Sequence, residues 1–180
     1  FNQSMLLETT DNLDSNAFEA ALQAIIEHHD ALRLRLEQVG DNWQQEIAAQ
    51  NVDDLHHEVD LTAMDAASQD EHMERLATAM QANFDLQEGP LLRAALFRLG
   101  DARADRIVIA IHHLAIDWVS WAVLLEDLST AYLSASKKLP LKTSSFKAWS
   151  EALVDYANSA SIQTELAYWR DQQWDNYGEL

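Results

Sequence analysis

Imidazole is the side chain that takes up and returns a proton near neutral pH, and the seven histidines of this chain include three adjacent pairs, His28-His29, His56-His57 and His112-His113. A bare pair therefore identifies nothing, and the neighbouring residues have to decide. His28-His29 stands at the expected end of a helix, where an imidazolium complements the dipole, and this gives it a surface or capping role. His56-His57 lies among Asp53, Asp54 and Glu58 without the i,i+4 spacing of a helical metal pair, and it reads as a solvated acidic segment. His112-His113 differs because it closes the most apolar strand-like run of the chain, Ile107-Val-Ile-Ala-Ile111, shortly before a helix begins. Adjacent strand residues point to opposite faces, so one of these two histidines can enter a cavity while the other packs or hydrogen-bonds behind it. The chemistry on offer is proton transfer by a single positioned imidazole. Only Asp117 follows as a further ligand type, which is too little for a metal-dependent hydrolase, and no metal is expected.

The elements that must hold this pair can be read from hydrophobic period. A short strand spans about Phe1 to Glu8. Phe18, Ala21, Leu22, Ile25 and Ile26 recur at helical spacing behind Asp14 or Ser15 as N-cap, which predicts a helix to about Asp30. Leu32, Leu34 and Leu36 alternate with Arg33 and Arg35, and Val39-Gly40-Asp41-Asn42 turns the chain into Trp43 to Ile47, which makes a hairpin. Met73, Leu76, Ala77 and Met80 predict a second helix from about Asp70 to Asn83, closed before Gly89-Pro90. Two strands, Leu91 to Leu99 and Arg106 to Ile111, follow. Asp117 then stands where an N-cap is needed, with Ser120 three residues on. Trp118, Trp121, Leu125, Leu128 and Tyr132 step by three and four, giving a helix from Trp118 to about Ala135 with both tryptophans on its core stripe. A polar connector, Ser134 to Ser145, leads to a helix starting at Phe146 and a last one over about Ile162 to Gln172. The mixture of hairpin, strands and helices predicts an α/β sandwich without internal repeats.

Composition narrows the classes. With 180 residues, 48% of them hydrophobic, the chain can bury one core of ordinary size. Its net charge of -18 opposes nucleic acid or an anionic membrane as a partner. No cysteine is present, which removes disulfides, a thiolate nucleophile and thiolate-held metals. No apolar stretch approaches the roughly 20 residues of a membrane span, and the start is not a signal peptide, so a cytoplasmic protein is expected. Because the chain opens on Phe1 in what reads as a strand, it is expected to be a piece of a longer polypeptide.

The motif His112-His113-x-x-x-Asp117-x-x-Ser120-Trp121 resembles the HHxxxDGxS signature of the condensation-domain superfamily of nonribosomal peptide synthetases, in the HHxxxDGxSW form of epimerization domains. The likeness continues through His29-Asp30-Ala31-Leu32-Arg33, Phe84-Asp85-Leu86, Gly89-Pro90-Leu91-Leu92-Arg93 and Phe1-Asn2-Gln3-Ser4, and covers nearly the whole chain in order. It implies a chloramphenicol-acetyltransferase-like fold, a mixed sheet with helices packed on it, of which residues 1–180 would be the N-terminal lobe. It also implies His113 as catalytic base with His112 in support, Asp117 as a structural group paired with Arg33, and a substrate tunnel beside Trp118, Ser120 and Trp121. The substrate implied is an aminoacyl or peptidyl thioester on the 4'-phosphopantetheine of a peptidyl carrier protein. No cofactor is expected on this lobe, and the second lobe of the domain would supply a glutamate for the opposite face of Cα. The sequence departs from the family at Trp118, where a glycine is usual. Two other functions share the resemblance: peptide-bond formation by a condensation domain, and an inactive module that docks carrier proteins.

Overall fold

The computed structural model describes residues 1–10, 13–49, 55–134 and 138–172. In chain order the first unit, Phe1–Leu141, contains β1 (Asn2–Glu8), α1 (Ser15–His28), β2 (Leu34–Val39), β3 (Asn42–Ile47), β4 (His56–Asp60), α2 (Ala66–Ala82), β5 (Leu92–Arg98), β6 (Arg106–His112) and α3 (Trp118–Leu133). A 3-10 turn at Asp30–Arg33 joins α1 to β2. The parts of the sequence-based elements that fall on residues 11–12, 50–54, 135–137 and 173–180 lie outside the described residues.

One mixed sheet, in the order β1-β6-β5-β4, forms the middle of this unit, and β2-β3 make a separate hairpin. β6 is antiparallel to both β1 and β5, whereas β4 runs parallel to β5. The period-two alternation of the inner strands sorts their side chains between two cores. Leu92, Ala94 and Leu96 of β5 and Ile107, Ile109 and Ile111 of β6 pack under α1 and α3 with Phe18, Leu22, Ile25, Trp121, Leu124 and Leu128. Ala95, Phe97 and Val108 point the other way, against Met80 and the stripe Met73, Leu76 and Ala77 of α2. A strand flanked on both faces has to be apolar throughout, and the run Ile107–Ile111 is buried at every position. The expected α/β sandwich is thus a three-layer lobe: two helices, the sheet, one helix.

Local chemistry sets the helix starts. Asp14 accepts the amide of Ala17, Asp65 that of Ser68, and Asp117 that of Ser120. With Asp65 as its cap, α2 begins at Ala66, ahead of the expected Asp70; Ala66, Ala67 and Ser68 carry no periodic apolar signal, so the cap alone marks them. Of the segment read as solvated and acidic, residues 53 and 54 lie outside the described residues and His57, Glu58 and Asp60 are exposed; the correction is that His56–Asp60 is a strand. It is the edge strand β4, which follows Leu55 of the core under α1 and α3, with Val59 packed on the α2 side and the His56 ring edge-on to Phe18 at 5.8 Å between centroids.

Gly89, at φ +69°, occupies the left-handed region before Leu91 enters the core, and a Cβ there would collide with the guanidinium of Arg35. That guanidinium is buried, donates to the Leu34 carbonyl, and has its pKa lowered by desolvation. Both constraints oppose any side chain at this position. Gly89→Ala is expected to cost about 1–3 kcal/mol, the range for a strained non-glycine backbone, seen as a lower denaturant midpoint at an unchanged m value.

The second unit, Lys142–Leu180, contains α4 (Phe146–Ala157) and α5 (Ala160–Arg170). Ser145 caps α4 by accepting the Ala148 amide at 3.1 Å, and Phe146 stacks on Trp149.

Candidate active site

The strand register decides which histidine does what. Along β6 the odd-numbered residues face α1 and α3 and the even-numbered residues face α2. His112 follows the even row: its ring meets the edge of Phe84, beyond the end of α2, at 5.9 Å, and burial holds its imidazole pKa below the ordinary value. His113 is exposed and turns the other way. Its backbone amide donates to the Phe1 carbonyl, its Nδ1 lies 2.8 Å from the Ile116 carbonyl oxygen, and its Nε2 lies 3.2 Å from the side-chain amide nitrogen of Gln3. A carbonyl oxygen can only accept, so Nδ1 carries the hydrogen and the neutral ring keeps its lone pair on Nε2. One histidine packs against Phe84 and the other turns to the rim of the lobe, where its Nε2 meets the Gln3 amide, the divergence that strand alternation predicts.

The start of α3 stands next to it. Asp117 Oδ1 accepts both the amide of Ser120 at 2.8 Å and its hydroxyl at 2.7 Å, and these two bonds, the hydroxyl's foremost, hold the carboxyl pKa below the ordinary value. A depressed value in the folded state means that the cap acts fully above the ordinary carboxylate range and fades as pH falls through the lower, folded value. Arg33 does not pair with Asp117. It donates to Asp30 at 2.9 Å and to the carbonyls of Ile26, Glu27 and Ala48, so its partners are the local groups at the end of α1 and the hairpin. The resemblance-based pairing is corrected accordingly: Asp117 is an exposed helix cap, and Arg33 a buried staple between α1 and β3.

The two tryptophans separate. Trp121 is 2% exposed and belongs to the core under α3, so its indole cannot line an open tunnel; only its Nε1 reaches outward, donating to Gln3 Oε1 at 2.9 Å. Trp118 is 75% exposed and not on the core stripe. It shares the outward face of α3 with Val119 and Val123, and Leu114 in the preceding turn is exposed as well. Ser120 is exposed, its hydroxyl engaged by Asp117.

Gln3 is the residue that sequence reading of the site missed. A signal was present, because Gln3 sits in the same alternating row as Met5 and Leu7, which pack on the core, and a polar side chain on such a row needs a partner. His28-His29 likewise has more to do than cap: His29 Nε2 lies 2.8 Å from Oδ2 of the buried Asp127 and ties the end of α1 to α3, and His28, His29 and Asp127 hold their ligand-type atoms within 4.8 Å of one another.

Fold and site together define a chloramphenicol-acetyltransferase-like lobe whose central strand delivers one exposed imidazole to the capped start of a helix. The chain belongs to the condensation-domain family, whose model matches residues 1–178. It is 43% identical over 178 residues to a linear gramicidin synthase polypeptide of Brevibacillus parabrevis, covering 94% of this chain and 3% of that protein. Against surfactin synthase subunit 1 of Bacillus subtilis the figures are 39% over 174 residues, 94% and 5%. The chain thus spans only a small part of the synthase proteins it matches. The crystal structure of the epimerization domain from the third module of tyrocidine synthetase B superposes with a TM-score of 0.89 at 35% identity, covering 99% of this chain and 40% of that one. The starter condensation domain of rhizomide synthetase, at 23% identity and TM-score 0.76, shares the fold. Among the described residues no helix is long and apolar enough to cross a membrane.

Proposed function

We propose that this chain is the N-terminal lobe of an epimerization domain, in which His113 moves the α-proton of an aminoacyl or peptidyl thioester carried on the phosphopantetheine of a peptidyl carrier protein. The observation that carries this reading is the state of His113: exposed, hydrogen-bonded through Nδ1 to the Ile116 carbonyl just before α3, with the hydrogen on Nδ1 leaving Nε2 as the basic nitrogen. The likeness to a solved epimerization domain supports it. An α-hydrogen next to a thioester carbonyl is acidic enough for a positioned imidazole, and amides at a helix start stabilise the negative charge that develops on the thioester oxygen. In the step itself, Nε2 takes the proton, the C–H electron pair moves into the enolate, and a proton returned to the opposite face of Cα gives the inverted centre. The group on that face belongs to a second lobe, for which the resemblance implies a glutamate. The exposed apolar residues in the turn and helix that follow His113, namely Leu114, Trp118, Val119 and Val123, suit a surface that such a lobe covers.

The reading is tested by following a carrier-bound thioester prepared separately as the L and the D isomer. The full-length protein is expected to bring both to one L/D ratio, whereas a condensation domain would leave each isomer as it was loaded and join it to an acceptor amine.

Trp118 is proposed to narrow the approach of the pantetheine arm, since its indole stands outward beside the site instead of folding back with Trp121. Trp118→Gly is expected to raise the isomerisation rate severalfold while lowering stability by no more than about 0.5 kcal/mol, the gap between tryptophan and glycine as helix formers. Equal rates for both proteins would show that the indole does not obstruct the arm.

A further inference from the structure

The side chain of Gln3 stands between two ring nitrogens whose hydrogen-bonding character is fixed from outside. The indole Nε1 of Trp121 is a donor only, and it lies 2.9 Å from Gln3 Oε1. That contact settles which end of the amide is which, and it leaves the Gln3 NH₂ group facing His113 Nε2 at 3.2 Å. On the far side of the imidazole, the Ile116 carbonyl requires the hydrogen to be on Nδ1. Every donor in this run of bonds meets an acceptor: Trp121 N–H to Gln3, Gln3 N–H to His113 Nε2, His113 Nδ1–H to Ile116.

We propose that Gln3 is a positioning residue for His113, its amide oriented by the buried Trp121 so that it donates to Nε2, selects the Nδ1-protonated imidazole and holds the ring in place until substrate displaces the amide from the Nε2 lone pair. The proposal rests on the reading of His113 as the proton-transfer group. The fold explains why the first strand supplies this residue. β1 lies directly beside β6, with Gln3 opposite Ile111 on the face that carries α3, so its side chain reaches diagonally to the histidine just past the strand end. Trp121 is held in the core, which makes the amide a rigid arm instead of a mobile surface glutamine.

The test uses the full-length protein with carrier-bound thioester and compares wild type, Gln3→Glu, Gln3→Met and His113→Ala in isomerisation rate, apparent KM for the charged carrier, and melting temperature. Gln3→Glu has nearly the shape of glutamine and still accepts the Trp121 N–H. It offers His113 an acceptor in place of a donor, which draws a hydrogen onto Nε2 and removes the lone pair. Gln3→Met keeps the length and offers neither. The expected result is a kcat lowered about 10- to 100-fold in Gln3→Glu and about 10-fold in Gln3→Met, losses of the size that general-base positioning commands, with KM unchanged and the melting temperature of Gln3→Glu close to wild type. Wild-type kcat in Gln3→Met, or in a folded Gln3→Glu, would overturn the proposal, and so would a loss in both that merely tracks melting temperature. His113→Ala separates the two levels. If it is inactive while the Gln3 variants are normal, only the role of Gln3 falls; if it remains active, the proton-transfer reading falls and Gln3 has nothing to position.

Discussion

His113→Ala in the full-length protein is expected to lower isomerisation of the carrier-bound thioester by about 10²–10⁴-fold, the contribution of a positioned general acid–base group, while the melting temperature stays near that of the wild type. Both halves of this expectation come from position. The ring stands at the exposed end of β6, outside either core, so its removal leaves no internal cavity. Its three hydrogen-bonding neighbours, Phe1, Ile116 and Gln3, all lie at the same rim of the lobe; the backbone bond to Phe1 survives the substitution, and the other two groups can turn to water. His112→Ala should behave differently, because that ring is half-buried against Phe84. A full-rate His113→Ala protein would remove this residue from the chemistry.

The largest stability effect is expected at Trp121. Its motif position associates it with the substrate, yet the indole is among the largest fully buried side chains and packs between α3 and the strands. Trp121→Ala should cost about 3–5 kcal/mol, the range for emptying a large aromatic from a core, and should also release Gln3 from its acceptor role. The measurement is equilibrium denaturation of the full-length protein, monitored by a probe in this lobe. A midpoint indistinguishable from wild type would mean that the indole does not anchor α3. Because stability and site are joined through Gln3, Trp121→Phe is the cleaner functional probe: it keeps an aromatic ring in the core and removes the N–H, at a smaller packing loss than alanine.

How much of this was legible depended on whether a residue's partner lay in its own element or in another one. The buried strand Ile107–Ile111, the caps Asp14 and Asp117, and the α1 and α3 periodicities are local signals, and each element formed where its pattern stands. β4 was hidden because Val59 is the one apolar residue in His56–Asp60 and cannot outweigh His56-His57-Glu58; its pairing with β5 supplies what the sequence does not display. Arg33 was misassigned for a related reason. A motif names residues that recur together but not which contacts they make, and here Asp30 with three backbone carbonyls already accounts for the guanidinium. Trp118 and Trp121 show the limit of periodicity: residues three apart fall on neighbouring stripes, and only α3 docked on the sheet reveals that the second is covered and the first is open. Gln3 could not be joined to His113 before the pairing of β1 with β6 was known.

The central claim is that a base held by this lobe removes the α-proton, and solvent exchange at that carbon tests it most directly. The full-length protein is incubated in deuterated water with its carrier charged with the L-thioester, and the recovered acyl group is analysed for mass and configuration. Reversible proton abstraction predicts one solvent-derived deuterium at Cα, appearing together with the D isomer and absent in His113→Ala. A thioester that remains wholly protiated and L, in a preparation that still joins it to an acceptor amine, would contradict the account and make the lobe part of a peptide-bond-forming domain.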